Sequence, residues 1–244
     1  MATNFRWKGV DIPPVTKNII IINVILWVTT ILFKQKGIID LNDYLSLHFW
    51  LGSKFHVHQL FTYMFMHDSR GFSTGITHIF FNMFSLWMFG SLLERVMGVK
   101  RYLIFYLFCG IGAGLVQELV WHISDGGITE DYIMIVNESG NVVDQVLRSD
   151  FFNMLVTVGA SGAVFGILLA FAVLFPNVPI YIMFVPIPIK AKWAVIGFAI
   201  MELFFGVTSV MSGVAHFAHL GGMLFAFILL LYWKNKGLFF YRKS

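Results

Sequence analysis

The sequence predicts an all-α membrane protein with six transmembrane helices. The chain has 244 residues, of which 58% are hydrophobic and only 12% are charged, whereas soluble domains carry about 25% charged residues. Apolar stretches of about 20 residues, the length that crosses a bilayer as a helix, occur six times. The net charge of +4 would also suit a nucleic-acid-binding protein. Its distribution along the chain favours membrane topology instead, and we expect no nucleic-acid partner.

The six predicted spans form one membrane domain, residues 17–233, between a short N-terminus (1–16) and a basic tail (234–244). Four prolines separate the fourth span from the fifth, and that density excludes a regular helix there. The fifth span is the least regular, because Glu202 interrupts its apolar run. The spans are 17–33, 74–96, 100–122, 151–175, 191–210 and 213–233.

Basic residues predict the orientation of the chain, since cytoplasmic segments carry an excess of Lys and Arg. With the N-terminus inside, 12 of the 17 basic residues fall on the cytoplasmic side. We therefore expect both termini in the cytoplasm. The twelve are Arg6, Lys8, Lys17, Arg95, Lys100, Arg101, Lys190, Lys192, Lys234, Lys236, Arg242 and Lys243.

Two long outer loops follow from this topology. The loop 123–150 is acidic and polar, as expected of a translocated segment. The loop 34–73 is too apolar for a solvated linker and contains Tyr44, Phe49, Trp50 and Phe55. Because aromatic residues favour the headgroup region, we predict a helical hairpin lying at the outer membrane interface.

Polar groups at membrane depth are candidates for function, because they are costly to place in hydrocarbon. The second, fourth and sixth spans run in the same direction, and a rise of about 1.5 Å per residue puts several of these groups in one layer of the outer half. The layer contains His78, Asn82, Ser161 and His219, and His216 lies three residues before His219. Glu118 and Glu202 lie in the third and fifth spans.

The residue types in this layer fit acyl transfer. A serine hydroxyl needs a general base to take its proton, and an imidazole is the usual base. Spacing leaves either His216 or His219 in that role, since the two lie near one helix face. His78 and Asn82, four residues apart, offer N–H groups for an oxyanion, as does the backbone N–H of Ser161. No carboxylate is expected in this layer, so the base would act in a dyad.

Small residues around these groups predict close helix packing. Spacings of four residues between small side chains form seams at which membrane helices approach each other. Gly159, Gly162 and Gly166 lie in the fourth span and Gly222 in the sixth. A serine beside glycines in a membrane helix also suits packing alone, and only its coincidence with His219, His78 and Asn82 favours chemistry.

Other chemistries fit less well. The chain has no H-E-x-x-H for a zinc protease, and no metal or other cofactor is expected. Ala163 replaces the last glycine of a G-x-S-x-G elbow. A transporter using Glu118 and Glu202 would be expected to show an inverted repeat, which the sequence lacks.

Four motifs in order resemble the signature of rhomboid intramembrane serine proteases of the six-helix, bacterial type. They are H-I-F-F-N at 78–82, G-S-L-L-E at 90–94, G-A-S-G at 159–162 and A-H-L-G-G at 218–222. The resemblance implies a rhomboid-like bundle in which Ser161 is the nucleophile and His219 the base. It also implies an oxyanion hole formed by His78, Asn82 and the Ser161 N–H.

The resemblance further implies transmembrane protein substrates cut within the bilayer, without a cofactor, in a bacterial plasma membrane. His67 matches a family histidine in the first outer loop, and Glu94 matches a structural position. One departure is His58-Gln59, where many members have Trp-Arg. The alternative is a catalytically silent relative that binds membrane segments, although such relatives typically lose the serine or the histidine.

Overall fold

A computed structural model describes residues 11–69, 71–136, 139–181, 187–208 and 214–238. The charged ends Arg6, Lys8, Arg242 and Lys243 therefore lie outside the described residues. Within the described part, five helices are long and apolar enough to cross a membrane. A sixth apolar helix has only 14 residues.

The first helix, α1, spans Pro14–Gln35. Proline at its first position suits a helix start, where no backbone donor is needed. The carboxylate of Glu94 accepts the backbone N–H groups of Val15 and Thr16 at 2.9 and 2.8 Å and the hydroxyl of Thr16 at 2.8 Å. A buried carboxylate at a helix N-terminus satisfies unpaired donors and complements the helix dipole. Glu94 therefore has the structural role that the resemblance implied.

The first outer loop forms two one-turn helices, α2 (Leu41–Leu45) and α3 (Gln59–Thr62), with a short strand β1 (Leu47–His48) between them. A 3₁₀ turn, Tyr63–Phe65, follows α3. Gln59 is fully buried and ties the loop together. Its amide oxygen accepts the N–H groups of His48 and His56, and its amide nitrogen donates to the carbonyls of Tyr44 and Lys54.

The second span consists of α4 (Phe72–Ser85), a π-helical turn (Leu86–Gly90) and α5 (Ser91–Met97). The third span is α6, Val99–Ser124. Both spans lie where the hydropathy of the sequence predicts them.

The second outer loop contains a β-hairpin that the sequence analysis did not predict. Strands β2 (Tyr132–Val136) and β3 (Val142–Leu147) pair antiparallel, with Tyr132 opposite Leu147. The turn between them includes residues 137 and 138, which lie outside the described part of the chain.

The predicted fourth span, 151–175, is wrong as a single helix. Its first part is a short helix α7 (Arg148–Met154) and a strand β4 (Val156–Thr157) that pairs with β1. Gly159 has φ of +126°, a conformation that favours glycine. Its N–H donates to the carbonyl of Tyr63 at 3.0 Å. The apolar run is thus divided by backbone pairing with the first outer loop.

Helix α8 therefore begins at Ser161 and ends at Leu174. Fourteen residues make a helix about 21 Å long, shorter than the roughly 30 Å of a bilayer core. The extended chain before α8 is tolerated at such depth only where protein covers it, and β1 and Tyr63 supply that cover.

The last two spans are α9 (Ala191–Thr208) and α10 (His216–Asn235). The connection from α8 to α9 is irregular, as its prolines predict. In its described part, strands β5 (Pro179–Ile180) and β6 (Ile189–Lys190) form a two-residue antiparallel pair. Residues 209–213, which include the predicted end of the fifth span, lie outside the description.

Helices α6, α8 and α10 form the centre of the molecule. Large side chains of α6 are fully buried there, including Tyr102, Phe105 and Tyr106. Between α8 and α10 the backbones themselves meet, because a methyl group on Gly222 would overlap the carbonyl oxygen of Gly162. This contact fixes the distance between the two helices that carry Ser161 and His219.

Candidate active site

Ser161 is the first residue of α8, and its hydroxyl faces α10. The Oγ atom of Ser161 lies 2.7 Å from Nε2 of His219, within hydrogen-bonding geometry. His219 lies one turn into α10 and is 8% exposed. The Gly162–Gly222 contact brings these side chains together, since larger residues would hold the helices apart.

An aromatic ring holds the imidazole of His219 in place. Phe165, one turn after Ser161 on the same face of α8, stacks on His219 with ring centroids 4.3 Å apart and planes inclined by 6°. This stacking restricts rotation of the imidazole, so that Nε2 stays directed at Ser161.

The expectation that no carboxylate lies near the base is wrong. Oε2 of Glu202, on α9, lies 2.7 Å from Nδ1 of His216 and 2.9 Å from Nδ1 of His219. The contact with His216 has the geometry of a hydrogen bond, whereas the contact with His219 is short but lies off the direction of the ring N–H. The sequence does not predict this proximity, because the apolar residues of α9 favour no single face that would indicate how the helix is rotated about its axis.

These three side chains could also ligate a metal, since their ligand atoms lie within 4.8 Å of one another. Ligands around tetrahedral zinc, with bonds of about 2.0 Å, are separated by roughly 3.3 Å. The separations of 2.7 and 2.9 Å are instead those of hydrogen-bonding partners. The cluster as it stands fits a shared proton network better than a metal centre.

His78 and Asn82 of α4 lie on the same side as the serine. A methyl group on Gly159 would lie 2.9 Å from Nε2 of His78 and 3.6 Å from Oγ of Ser161, so both atoms are close to one point. The amide nitrogen of Asn82 donates to the carbonyl of His78 at 3.0 Å. Gly159, which the sequence analysis placed in a packed helix, instead lies in the loop before α8 and leaves room for the His78 ring.

A mostly apolar cavity of about 560 Å³ opens in front of these groups. Its walls come from α4, the π-helical turn, α8, α9 and α10, and from the segments that precede α8, α9 and α10. Ser161, His219, His78 and Asn82 all line it, and apolar side chains such as Phe84, Leu168 and Phe198 form most of the remaining wall.

The N-terminus of α8 can stabilise a negative charge. Its N-cap is Ala160, which has no side-chain oxygen to accept the first N–H groups of the helix. Those groups have no partner within the helix itself and carry the positive end of its dipole. An anion formed at Ser161 would lie at this end.

The remaining glycines act in the helix seam. A methyl group on Gly162 would lie 2.5 Å from Cβ of Ala113, and one on Gly166 would lie 2.8 Å from Sγ of Cys109. Both positions therefore let α8 approach α6, while Gly222 lets α10 approach α8.

His67 and Glu118 lie outside the cavity wall. His67 is buried, its ring lies 5.1 Å from that of His78, and neither of its nitrogens has a hydrogen-bond partner among the described residues. Burial, reinforced by the neighbouring His78, lowers the pKa of His67 to about 3. Glu118 accepts the N–H of Trp50 at 2.8 Å and so anchors the first outer loop to α6.

The sequence matches the Rhomboid domain over residues 54–235, which is more than half of the chain. The chain belongs to the rhomboid family. The matched region of this rhomboid protein extends from the first outer loop to the end of α10, and it contains every residue of the candidate site. A search of curated proteins finds no match. With its apolar helices, family membership identifies an integral multi-pass membrane protein.

Proposed function

We propose that this rhomboid protein is an intramembrane serine endopeptidase that cuts transmembrane segments of other membrane proteins. The observation that carries the proposal is the 2.7 Å contact between Ser161 Oγ and His219 Nε2 at the wall of an apolar cavity. A packing hydroxyl in a membrane helix needs no imidazole partner, whereas a nucleophilic serine does.

His219 acts as general base and then as general acid. Its Nε2 takes the proton of Ser161 as Oγ attacks the carbonyl carbon of the substrate. The imidazolium then donates that proton to the leaving amide nitrogen, and an acyl-enzyme remains on Ser161. Water, deprotonated by His219, attacks the acyl carbon and releases Ser161.

The oxyanion of each tetrahedral intermediate is stabilised at the N-terminus of α8. The backbone N–H of Ser161 contributes one donor, together with the dipole of the helix. Asn82 has two amide N–H groups, of which the carbonyl of His78 engages one, so the other serves the oxyanion. The imidazole of His78 provides the third donor.

The substrates are transmembrane segments, because the cavity wall is mainly apolar. A peptide bond inside a helix is shielded by its neighbours, so the segment must unwind locally before Ser161 reaches it. Small and helix-weakening residues near the scissile bond lower the cost of unwinding. We place the enzyme in a bacterial plasma membrane with both termini in the cytoplasm, and its reaction requires no cofactor.

A catalytically silent relative that binds membrane segments is the second candidate function. Its cavity would need no nucleophile, and neither Ser161 nor the hydrogen bond that Ser161 donates to His219 would be required. The presence of both groups in bonding geometry favours the protease.

The test is cleavage of a fluorogenic transmembrane substrate by the purified protein reconstituted in liposomes. We expect Ser161→Ala and His219→Ala each to lower the rate by at least about 10³-fold, as removal of either member of such a pair does in serine proteases. Thermal unfolding should change little. Equal cleavage by wild type and Ser161→Ala would exclude Ser161 as the nucleophile. Activity that survives in His219→Ala but not in His216→Ala would reassign the base.

A further inference from the structure

The carboxylate of Glu202 is partly buried within a membrane-spanning helix, where an isolated charge is costly. Its side chain is 14% exposed, and the side chains of His216 and His219 are 6% and 10% exposed. All three side chains meet at one atom, Oε2 of Glu202. A carboxylate persists in such a place when donors surround it, and here the Nδ1 atoms of both neighbouring imidazoles lie within 2.9 Å of it.

We propose that Glu202 is a positioning residue, which orients and charges the base His219 without touching the substrate. The inference rests on the proposed function of Ser161 and His219. Glu202 would be a third group beside the Ser161–His219 pair, for which the sequence predicts no carboxylate.

The carboxylate determines which nitrogen of His219 carries the proton. An ionised carboxylate only accepts hydrogen bonds, so the neighbouring Nδ1 atoms must carry hydrogen. A neutral imidazole has one N–H, and therefore Nε2 of His219 presents its lone pair to Ser161 at 2.7 Å. This is the tautomer that a general base requires, and the opposite tautomer could not accept the serine proton.

The carboxylate also stabilises the imidazolium that forms when His219 takes the proton. The attraction between the negative carboxylate and the positive imidazolium supplies this stabilisation. In the resting protein the contact between Glu202 and His219 lies off the N–H direction. Catalytic hydrogen bonds of free enzymes are often misaligned and tighten when charge develops.

His216 holds the carboxylate in position. Its Nδ1 makes the in-line contact with Oε2 of Glu202, and its ring packs against Phe205 of α9 at a centroid distance of 5.6 Å. His216 thus links α9 to α10 and keeps Glu202 beside the base. This assigns roles to two polar residues whose function the sequence left open.

The deciding variant is Glu202→Gln, which keeps shape and hydrogen-bonding capacity but removes the charge. We expect kcat to fall about 10- to 100-fold, with KM within about threefold of wild type and thermal stability unchanged or higher, because a neutral amide is less costly to bury. Glu202→Asp should recover part of the lost kcat. His216→Gln removes the imidazole that holds Glu202 but keeps the carboxylate itself, and its amide N–H groups can still donate to Oε2. This variant should therefore reduce kcat less than Glu202→Gln does.

A fluorophosphonate probe tests the same point without a transmembrane substrate, because it reports the reactivity of Ser161 directly. Labelling of Glu202→Gln should slow by a factor similar to the fall in kcat. Glu118→Gln is the matched control, because Glu118 is a buried carboxylate of another membrane helix that accepts the N–H of Trp50 and, within the described part of the chain, has no hydrogen bond to a catalytic group. Its kcat and labelling rate should match wild type.

Three results would overturn the role of Glu202: wild-type kcat and labelling in Glu202→Gln, an effect on KM alone, or a loss of activity that follows a loss of stability. If wild-type protein neither cleaves nor labels at Ser161, the proposed protease function fails instead. The two failures are therefore distinguishable.

Discussion

At the scale of single residues, the site depends on how little space surrounds Ser161. Gly159 has a backbone conformation with φ of +126° and faces the ring of His78. Two constraints therefore apply to this one position. The left-handed conformation excludes most side chains by strain, and the approach of His78 excludes even a methyl group.

Gly159→Ala should separate His78 from the serine. The new Cβ would lie 2.9 Å from Nε2 of His78, so the imidazole must move and the oxyanion loses a donor. Loss of one such donor costs roughly 10²- to 10³-fold in kcat. The measurement is cleavage of a transmembrane substrate, with thermal unfolding to quantify backbone strain of about 1–3 kcal/mol.

The matched control is Gly98→Ala. Gly98 also has a positive φ, +80°, but a methyl group there would meet no atom within 4 Å. Gly98→Ala should therefore be less stable than wild type because of backbone strain, but it should cleave substrate at the wild-type rate. If both variants lose activity equally, strain rather than the position of His78 explains the effect of Gly159.

At the scale of elements, the seam between α8 and α10 determines whether Ser161 and His219 meet. Membrane helices lack a hydrophobic driving force for association, so close packing of small residues contributes much of it. Gly162 and Gly222 are in backbone contact across this seam. The same contact that stabilises the helix pair therefore sets the distance of the proposed catalytic hydrogen bond.

Gly222→Ala should damage stability and activity together. Its methyl group would overlap the backbone carbonyl of Gly162, which cannot rotate away as a side chain can. Overpacking of this kind costs about 1–3 kcal/mol, and forcing the helices apart lengthens the Ser161–His219 contact. Thermal unfolding in detergent and cleavage in liposomes measure the two effects.

Gly197→Ala is the control, and it tests whether replacing a glycine by alanine elsewhere in a membrane helix also lowers stability and activity. Gly197 lies in α9, and a methyl group there would meet no atom within 4 Å. Since alanine favours helix over glycine, this variant should be as stable as wild type and equally active. A similar loss in both variants would contradict the packing explanation.

At the scale of the whole molecule, the fold buries an imidazole that must stay neutral. The folded protein holds the pKa of His67 at about 3 by burial and by the nearby His78, whereas an unfolded histidine has a pKa of about 6.5. Between these values the unfolded chain binds more protons. The free energy of unfolding therefore decreases as pH falls from about 6.5 toward about 3.

His67→Leu should make the protein less sensitive to acid. Between pH 7 and pH 5 His67 lowers the free energy of unfolding of the wild type by about 2 kcal/mol. The free energy of unfolding of His67→Leu should therefore fall by about that much less over the same range. Unfolding by SDS titration in mixed micelles measures the difference. His56→Gln is the control, because His56 is exposed, and it should follow the wild-type pH dependence. An unchanged slope in His67→Leu would refute the role of His67.

The division between sequence and tertiary structure is clearest in α8. Its apolar run predicts one helix over 151–175, because composition cannot distinguish a helix from an extended apolar chain covered by protein. Pairing of β4 with β1 and the bond from Gly159 to Tyr63 break the run. Ser161 consequently lies at the start of a helix, whereas the apolar run predicts a position within one.

The sequence by itself determined the membrane class and the position of most spans, and it indicated Ser161, His219, His78 and Asn82 as candidates, because hydropathy and costly intramembrane polar groups are local properties. Only the tertiary structure decided that Glu202 lies beside His216 and His219 and that Gln59 organises the first outer loop. Both depend on how separate elements rotate and pack against one another, and an apolar helix carries no sequence pattern that fixes its rotation.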